Sequence, residues 1–435
     1  MPTIRPFEII LIVSFAFIAI AGLFALRFFE SKANPELLIY GEKVEIWGTF
    51  DQKIVSDYLT ELQYTNKGLK VVTYIEKDVR TFESELLNAI AEGRSPDLVI
   101  LPHTLLVTYR SKLLPISSDV LSERTFKDTY IEGAEIFMRG DGTYGIPIAV
   151  DPLVMYWNRD IFSSSGLTQP PKTWENLLFE TSRAVTKIDD NRNISQSTVA
   201  LGEYSNITHA KDIIAMLLFQ AGSTVVEEHD GVYAVTMNQG VSTSLPPSDA
   251  VIQFYTQFSS PTKEVYSWNR AMNLDRTEFL NGRLGLYFGK GSEFAHLERD
   301  NANLNFDVAQ VPQGSGVTTA RNYADFYALS IPRASKNASG AYAVATLLAE
   351  SEGLKSFTNT LGLAPAKRSL YTGDTHTVLD DVVYKSALVS HGWLDPSPKG
   401  SDRIFQTIIE QSVSGQSRTK SIVIDAIKEL EALFR

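Results

Sequence analysis

Beyond residue 43 the chain alternates between short apolar runs and longer amphipathic stretches. Three of the runs are rich in β-branched and aromatic residues and predict strands: VEIWG (44–48), LKVVTYI (69–75) and DLVIL (97–101). Between them, apolar residues recur at helical spacing, first at Ile54, Tyr58, Leu59 and Leu62 and then at Phe82, Leu86, Leu87 and Ile90. Strands that alternate with helices over short connections predict a parallel sheet covered by helices, hence an α/β fold.

The remainder of the chain shows the same two patterns in a less regular order. The stretch between residues 170 and 300 favours helices, with loops at 187–197 and 240–249. VAQVP (308–312) and FYALSIP (326–332) predict later strands. Two amphipathic helices follow, and the second has an apolar face made of Ile422, Ala426, Ile427, Leu430 and Leu433.

An acid–proline pair interrupts the apolar run YGIPIAVDPLVMYWNRD (144–160). A buried strand rarely contains a lone carboxylate or an internal proline, yet Asp151 and Pro152 stand in the middle of this one. Either Asp151 has a chemical task, or it caps a turn ahead of Pro152.

The N-terminal region carries a candidate membrane segment. After a tail at 1–8, the uncharged apolar stretch that begins at Ile9 would span about 27 Å as a helix, close to the thickness of a hydrocarbon core. We therefore expect a transmembrane anchor or uncleaved signal over 9–29, followed by a polar linker over 30–42. A cleaved signal peptide is the alternative, although its apolar region would be unusually long. The flanking charges do not favour an external body.

Composition and charge narrow the function. A chain of 435 residues exceeds what one hydrophobic core normally spans, so two domains are expected. The formal net charge of -11 argues against nucleic acid as a partner, because no basic cluster is visible along the chain. There is no cysteine, which excludes thiolate catalysis, cysteine-ligated metals and a lipoprotein anchor. The six histidines lack metal-ligand spacing, and we expect neither a metal site nor a cofactor.

The stretch YGIPIAVDPLVMYWNRDIFSSSGLTQPPKTWENL (144–177) resembles the extracellular solute-binding proteins of ABC importers, in the sugar-binding group. That family carries Tyr-Gly-x-Pro, then an acid or polar residue, an aromatic–Asn pair and Pro-Pro-Lys-Thr-Trp, all of which occur here in order. Further similar segments are SPDLVIL (95–101), FLNGRLGLYFGKGS (279–292), FDVAQVP (306–312) and the C-terminal helices. The resemblance covers nearly all of residues 44–434.

The resemblance implies two α/β lobes that are joined by a hinge, with the ligand in the cleft between them. Lobe one would comprise 43–150 and 310–360, and lobe two 151–309 and 361–435. The run at 144–160 would be the first crossing of the hinge, and Asp151 would face the cleft, where a carboxylate accepts hydrogen bonds from sugar hydroxyls.

Sugar sites combine aromatic platforms with a few fixed polar groups. The candidates are the residues that match cleft-lining segments of the family: Trp47, Phe50, His103, Asp151, Trp268, Phe288, Lys290, Tyr323, Asp325 and Phe326. Trp47 could equally be a core residue, and Phe288 could be a buried strand end. Trp268 lies in a polar loop, where aromatic residues more often contact ligand.

The resemblance predicts a binding protein rather than an enzyme. It would capture a small solute, expected to be a carbohydrate, and deliver it to ABC permease subunits. The membrane would be its other partner, through the N-terminal helix, with the soluble body outside the cytoplasmic membrane. Two alternatives stay open: a sensor or adhesion module with the same cleft, and a glycoside hydrolase that pairs Asp151 with Asp325.

Overall fold

The computed structural model describes residues 43–229, 231–240, 245–373, 377–415 and 418–435. The predicted tail (1–8), membrane segment (9–29) and linker (30–42) lie outside the described residues. Within the part that is described, no helix combines the length and the apolar character needed to cross a bilayer.

Fifteen strands are numbered here in chain order through the described ranges. They are β1 Val44–Gly48, β2 Val72–Glu76, β3 Leu98–Pro102, β4 Met138–Arg139, β5 Gly142–Thr143, β6 Ile146–Asn158, β7 Lys187–Ile188, β8 Ile194–Val199, β9 Val226–His229, β10 Val232–Val235, β11 Leu284–Lys290, β12 Phe306–Ala309, β13 Asn322–Ser330, β14 Ala364–Pro365 and β15 Ser390–His391.

The α-helices are numbered in the same way. They are α1 Gln52–Thr65, α2 Phe82–Ala91, α3 Leu106–Tyr109, α4 Glu123–Thr129, α5 Arg159–Ser164, α6 Trp174–Asn176, α7 Ser182–Val185, α8 Ala210–Gln220, α9 Pro247–Thr256, α10 Asp275–Leu280, α11 Phe294–Asp300, α12 Ala338–Glu350, α13 Leu354–Thr360, α14 Val378–Leu388, α15 Pro398–Ser414 and α16 Thr419–Ala432. Short 3-10 helices occur at Lys67–Val71, His103–Leu105, Arg110–Lys112, Glu132–Phe137, Gln257–Ser259, Gly291–Glu293 and Arg368–Tyr371, and a π-helical turn at Leu177–Thr181.

One mixed sheet runs through the described part of the molecule, in the order β2-β1-β3-β13-β6-β11-β8-β7. Strand β1 pairs in parallel with β2 and β3, as the sequence predicts. Strand β13 then runs antiparallel to both β3 and β6, and β11 antiparallel to β6 and parallel to β8. The order places β6 and β13 at the centre, so these two strands join the two ends of the sheet.

Strand β6 belongs to both halves of this sheet. All thirteen of its residues are buried, including the acid–proline pair. Its first half pairs with β13 as far as Pro152, and its second half, from Leu153 to Asn158, pairs with β11 and β12. We define lobe one as the part built on β1–β3 and the first half of β6, and lobe two as the part built on the second half of β6 with β7, β8, β11 and β12. The crossing therefore lies at Asp151 and Pro152.

The C-terminal segment returns to each lobe in turn. Strand β14 pairs with Val150 and Ala149 in the first half of β6, and the 3-10 helix Arg368–Tyr371 packs near α4, so residues just after 361 lie with lobe one. Helices α15 and α16 pack against each other and against α9 in lobe two. The structure thus places the return to lobe two later than the predicted boundary at residue 361.

Several predicted elements differ from those observed. Strand β2 begins at Val72 instead of residue 69, because residues Lys67–Val71 form a 3-10 helix. The strand predicted at 308–312 exists but is displaced: β12 spans Phe306–Ala309, and the backbone N–H of Gln313 bonds to Lys172 O at 3.1 Å. The loop predicted at 187–197 is shorter than expected, since β7 and β8 pair there as an antiparallel hairpin and residues 189–193 connect them.

Candidate functional site

Two carboxylates face each other where β6 and β13 cross between the lobes. Asp151 on β6 and Asp325 on β13 are directly paired in the antiparallel register. Residues that are directly opposite on such strands share one face of the sheet. The position therefore concentrates negative charge at the centre of the molecule, where both connecting strands pass.

Lys290 provides a cation for this pair of carboxylates. It is the last residue of β11 and is 5% exposed. Its Nζ lies 3.0 Å from Asp212 Oδ2 and 3.1 Å from Asp325 Oδ2, and 4.3 Å from the centre of the Tyr323 ring. Burial alone would lower the pKa of Lys290, but the carboxylates of Asp212, Asp325 and Asp151 outweigh it and raise that pKa, so the ammonium stays charged. The pKa of Asp212 is lowered, because the attraction of Lys290 and His209 overcomes its burial.

Asp151 is held by the turn that follows Lys290. Its Oδ1 accepts a hydrogen bond from Ser292 N at 3.1 Å, and its Oδ2 accepts one from Ser292 Oγ at 2.6 Å. Burial raises the pKa of Asp151 to about 7, despite the opposing effects of Lys290 and Ser292. These hydrogen bonds give β6 a contact with lobe two beyond its strand pairing.

His103 lies on the lobe-one side of the cluster and is neutral. Burial lowers the pKa of His103 to about 4, and its Nδ1 accepts a hydrogen bond from Phe326 N at 3.2 Å. The proton therefore resides on Nε2, which has no hydrogen-bond partner among the described residues. Gly392 makes room for this edge of the ring, since a Cβ at that position would lie 2.5 Å from Nε2.

A second set of charges supports the first from lobe two. His209 Nε2 lies 2.6 Å from Glu293 Oε1, and His209 Nδ1 lies 3.5 Å from Asp212 Oδ2. Burial would lower the pKa of His209, but its hydrogen bonds to Asp212 and Glu293 raise it to about 10. His209 lowers the pKa of Glu293 to about 2, against the effect of burial.

The sequence interpretation missed His209, Asp212, Ser292 and Glu293. The available signal was the Lys290-x-x-Glu293 spacing, in which Glu293 accepts a hydrogen bond from Lys290 N at 2.9 Å.

The structure brings five of the ten predicted site residues together, places two beside them and three elsewhere. His103, Asp151, Lys290, Tyr323 and Asp325 form the group that we call the crossing cluster. Phe50 borders it through Tyr327, whose ring centre is 4.9 Å away, and Phe326 packs against His103 from the interior.

The remaining predicted aromatics lie elsewhere. Trp47 donates from Nε1 to Glu45 Oε1 at 2.8 Å and lies under the ammonium of Lys77. Phe288 is buried against Trp174. Trp268 is fully buried and donates to Asn206 Oδ1 at 3.1 Å, so its neighbourhood is a core and not the polar loop that the sequence suggests. None of these three forms part of the crossing cluster.

The crossing cluster combines acidic, basic and aromatic side chains. Among the described residues, no group of three or more His, Asp or Glu side chains is arranged to hold a metal ion. The cluster offers carboxylate acceptors from Asp151 and Asp325, an ammonium donor from Lys290 and a ring face from Tyr323. Ligand pockets in proteins often combine aromatic side chains with a few polar groups of these kinds.

A separate ion-pair group joins the lobes at their rim. Glu228 on β9 accepts hydrogen bonds from Arg110 at 2.7 Å and from Arg139 at 3.0 Å. Both arginines belong to lobe one, whereas the β9–β10 hairpin stacks on lobe two through Tyr233 and Phe434, with ring centres 4.6 Å apart. We call Arg110, Arg139 and Glu228 the rim clasp. The Glu228 side chain is only 6% exposed, and the two ion pairs offset its loss of hydration.

One family model and several known proteins are similar to this chain. The model of the bacterial extracellular solute-binding protein family matches residues 57–382. Two proteins named as candidate binding proteins, from Brucella abortus (strain 2308) and Brucella suis biovar 1 (strain 1330), are each 21% identical over 356 residues, which is 81% of this chain and 82% of theirs.

Solved structures of binding proteins share the fold. A cyclo/maltodextrin-binding protein complexed with maltotetraose has a TM-score of 0.71 at 17% identity, covering 90% of this chain and 97% of its own. The GacH receptor of Streptomyces glaucescens GLA.O, solved unliganded and with acarbose, has a TM-score of 0.67 at 15% identity, covering 90% and 98%. A solute-binding protein of an ABC transporter from Thermotoga lettingae TMO, bound with α-D-tagatose, has a TM-score of 0.65 at 17% identity, covering 91% and 100%. These likenesses confirm the predicted two-lobed α/β fold.

Proposed function

The chain belongs to the bacterial extracellular solute-binding protein family, and we propose that it captures a carbohydrate between its lobes and delivers it to an ABC permease. The family and the structures of similar fold are binding proteins rather than enzymes, so the hydrolase alternative is set aside. A carbohydrate is supported by the ligands of those structures, which are maltotetraose, acarbose and α-D-tagatose.

The crossing cluster is the observation that carries this proposal. It gathers His103 from lobe one, Lys290 from lobe two, and Asp151, Tyr323 and Asp325 from the two strands that connect them. A solute bound there contacts both lobes at once. It therefore binds the closed arrangement more tightly than an open one and shifts the equilibrium towards closure.

The donors and acceptors of the cluster match the hydroxyl groups of a sugar. A hydrogen bond to a charged group contributes about 1.5–3 kcal/mol, and the carboxylate of Asp325 can accept such bonds, as can that of Asp151 when it is ionised. Lys290 Nζ lies 3.0 Å from Asp212 Oδ2 and 3.1 Å from Asp325 Oδ2, and its third N–H group can donate to a solute. The face of Tyr323 adds an apolar surface of the kind on which sugar rings stack.

We propose that residues 9–29 anchor the chain and that the two-lobed body lies outside the cytoplasmic membrane, in reach of the permease. Family membership supports the external body, and the length of the apolar stretch supports the anchor. Co-purification of permease subunits with the full-length chain distinguishes transport from a sensor or adhesion role.

Titration calorimetry of the full-length chain in detergent tests the proposal. The panel contains maltotetraose, acarbose and α-D-tagatose, and we expect a dissociation constant near micromolar for at least one sugar, about -8 kcal/mol of binding free energy. Lys290→Met removes one charged donor and is expected to weaken binding by about tenfold or more. Lys428→Met, at an exposed lysine of α16, is the matched control and should bind as the wild type does.

Two results would contradict the proposal. One is the absence of heat with every sugar in the panel. The other is a Lys290→Met variant that is folded, as judged by its circular dichroism, and binds sugar as tightly as the wild type.

A further inference from the structure

A surface pocket of about 380 Å³ lies at the end of β6 that is remote from the crossing. Three segments form its walls: residues 158–161, where β6 leads into α5, residues 280–282, ahead of β11, and residues 301–304, ahead of β12. Strands β11 and β12 both run antiparallel to β6, so the chain enters them at the end where β6 stops. The volume lies within the range of pockets that bind small molecules, about 300–1,000 Å³.

Hydrogen bonds tie the walls of this pocket to one another. Arg159 N donates to Asn305 O at 2.9 Å, which joins the first wall to the third. Asn301 Nδ2 donates to Leu280 O at 2.8 Å, which joins the third wall to the second. Asn301 Oδ1 also accepts from Asn303 N at 3.0 Å and so shapes its own turn. The pocket is therefore preformed, and a ligand entering it has little backbone to reorder.

Asn158 presents to this pocket a donor that the fold leaves unpaired. The residue is 3% exposed, and its Oδ1 caps α5 by accepting a hydrogen bond from Ile161 N at 3.0 Å. Its Nδ2 has no hydrogen-bond partner among the described residues, and unlike the unpaired atoms that the interior encloses completely, it keeps contact with solvent. It faces Gly282: apart from the chain neighbours of that glycine, the nearest atom to a Cβ built there would be Nδ2, at 4.0 Å. The inner wall of the pocket thus carries an accessible N–H donor.

The rest of the lining adds an acceptor, two amides and an apolar floor. Asp160 is exposed, and while its Oδ1 accepts from Asn305 Nδ2 at 2.7 Å, its Oδ2 bonds to no residue that the structure describes. Asn281 and Asn303 are exposed lining residues, and a carboxamide both donates and accepts hydrogen bonds. The aliphatic lining residues are Ile161, Leu280 and Leu304.

This pocket is separate from the site proposed for the transported solute. About 23 Å of strand lies between Asp151 and Asn158, at about 3.3 Å per residue of β6. None of the residues that line the pocket belongs to the crossing cluster or to the rim clasp. A solute held in the crossing cluster therefore leaves the pocket free.

We propose that this pocket is a second binding site, for a neutral sugar ring. A hydroxyl group both donates and accepts, so a ring can satisfy Asn158 Nδ2, which only donates, and Asp160 Oδ2, which only accepts. The C–H face of the ring packs against the aliphatic floor. Asp160 is the one charged side chain among the described lining residues, so the pocket repels anions and lacks the several carboxylates that usually hold Ca²⁺. The site goes beyond the proposed function, because binding there does not require the lobes to close.

A local probe beside the pocket tests the site separately from the cleft. The chain has no cysteine, so Ala302→Cys gives a single attachment point for a trifluoromethyl tag, at an exposed residue between two lining residues. D-Glucose and D-galactose represent a free monosaccharide, maltotetraose represents a longer glycan, and sodium D-gluconate is the anionic comparison. We expect the fluorine resonance of the full-length chain in detergent to shift saturably with at least one neutral sugar, at the same half-saturating concentration in the Lys290→Met background. The sugar with the lowest half-saturating concentration identifies the source of the ring.

Matched cap variants assign the effect to Asn158. Asn158→Ser keeps a side-chain oxygen that can cap α5 but removes the unpaired Nδ2, and should raise the half-saturating concentration about fivefold. Asn337→Ser is the control, because Asn337 caps α12 in the same way, by accepting from Gly340 N at 3.1 Å, and lies outside the pocket. It should leave the half-saturating concentration unchanged. Asn303→Ala, at an exposed position of the lining, should raise that concentration about threefold or more.

The proposal is overturned if no neutral sugar shifts the resonance saturably, or if gluconate half-saturates the shift at a lower concentration than every neutral sugar. It is equally overturned if Lys290→Met weakens the response as it weakens binding in the cleft, or if Asn158→Ser and Asn303→Ala, both folded by circular dichroism, respond as the parent does.

Discussion

Asp151 shows how burial and charge oppose each other at a single residue. Burial removes its carboxyl group from water and raises the pKa to about 7, against about 3.9 for an unperturbed aspartate. The charge of Lys290 and the hydrogen bonds from Ser292 oppose this rise but do not cancel it. Between these two pH values the folded chain holds a proton that the unfolded chain has released. Folding stability from this residue is therefore greatest below about pH 4 and falls as the pH rises towards 7.

Replacement of Asp151 by asparagine should remove this pH dependence. Asparagine can keep both contacts to Ser292 but does not titrate. We expect the unfolding free energy of Asp151→Asn, relative to wild type, to rise by about 2–3 kcal/mol between pH 5 and pH 8, measured by urea denaturation of the full-length chain. The control is Asp119→Asn, at an exposed position, which should follow the wild-type profile. A difference between Asp151→Asn and wild type that stays constant with pH would refute the assignment.

Individual residues also show where the sequence was informative. Asp151 was conspicuous because it broke an apolar run, and Lys290 followed a strand that resembled a cleft-lining segment. Trp268 was misleading: its polar neighbours Ser267 and Asn269 suggested an exposed loop, but Ser267 is itself buried and bonds to Val199 O at 3.0 Å. Asp212 and His209 left no local signal, because their role depends on α8 packing against β13.

At the scale of elements, the sequence pattern predicts the parallel part of the sheet, β1–β3. It does not by itself predict how β6 and β13 pass between the lobes. Strand β1 occupies the predicted residues, since a short β-branched run that leads into a helix has few alternatives. The pairing of β6 with β13 on one side and β11 on the other joins residues far apart in the chain. Periodicity does not encode such pairings, and only the resemblance to a two-lobed family indicated them.

The rim clasp is an element-scale contact with a measurable effect on closure. Glu228→Gln removes the charge that Arg110 and Arg139 share across the lobes, so the closed arrangement loses stability. We expect sugar affinity by calorimetry to fall by several-fold, because part of the binding free energy must then offset closure. The adjacent change Glu227→Gln is the control, since the Glu227 side chain is half-exposed and contacts neither arginine. Equal affinities for Glu228→Gln and wild type would show that the clasp does not contribute to closure.

At the scale of the whole molecule, two lobes meet across a buried group of charges that both connecting strands share. The crossing cluster and the rim clasp lie at different depths of the boundary between the lobes. A solute in the cluster and the ion pairs of the clasp therefore both stabilise the closed arrangement. We expect both lobes to move as units about β6 and β13. The distance between the two lobes is therefore the quantity to measure.

Pulsed electron paramagnetic resonance between one spin label on each lobe tests this most directly. The chain has no cysteine, so Val79→Cys in lobe one and Val232→Cys on the β9–β10 hairpin give two unique label sites, both strongly exposed. With maltotetraose, acarbose and α-D-tagatose added in turn to the full-length chain in detergent, we expect at least one sugar to shorten and narrow the distance distribution. A distribution that no sugar changes would contradict closure of the lobes around a carbohydrate.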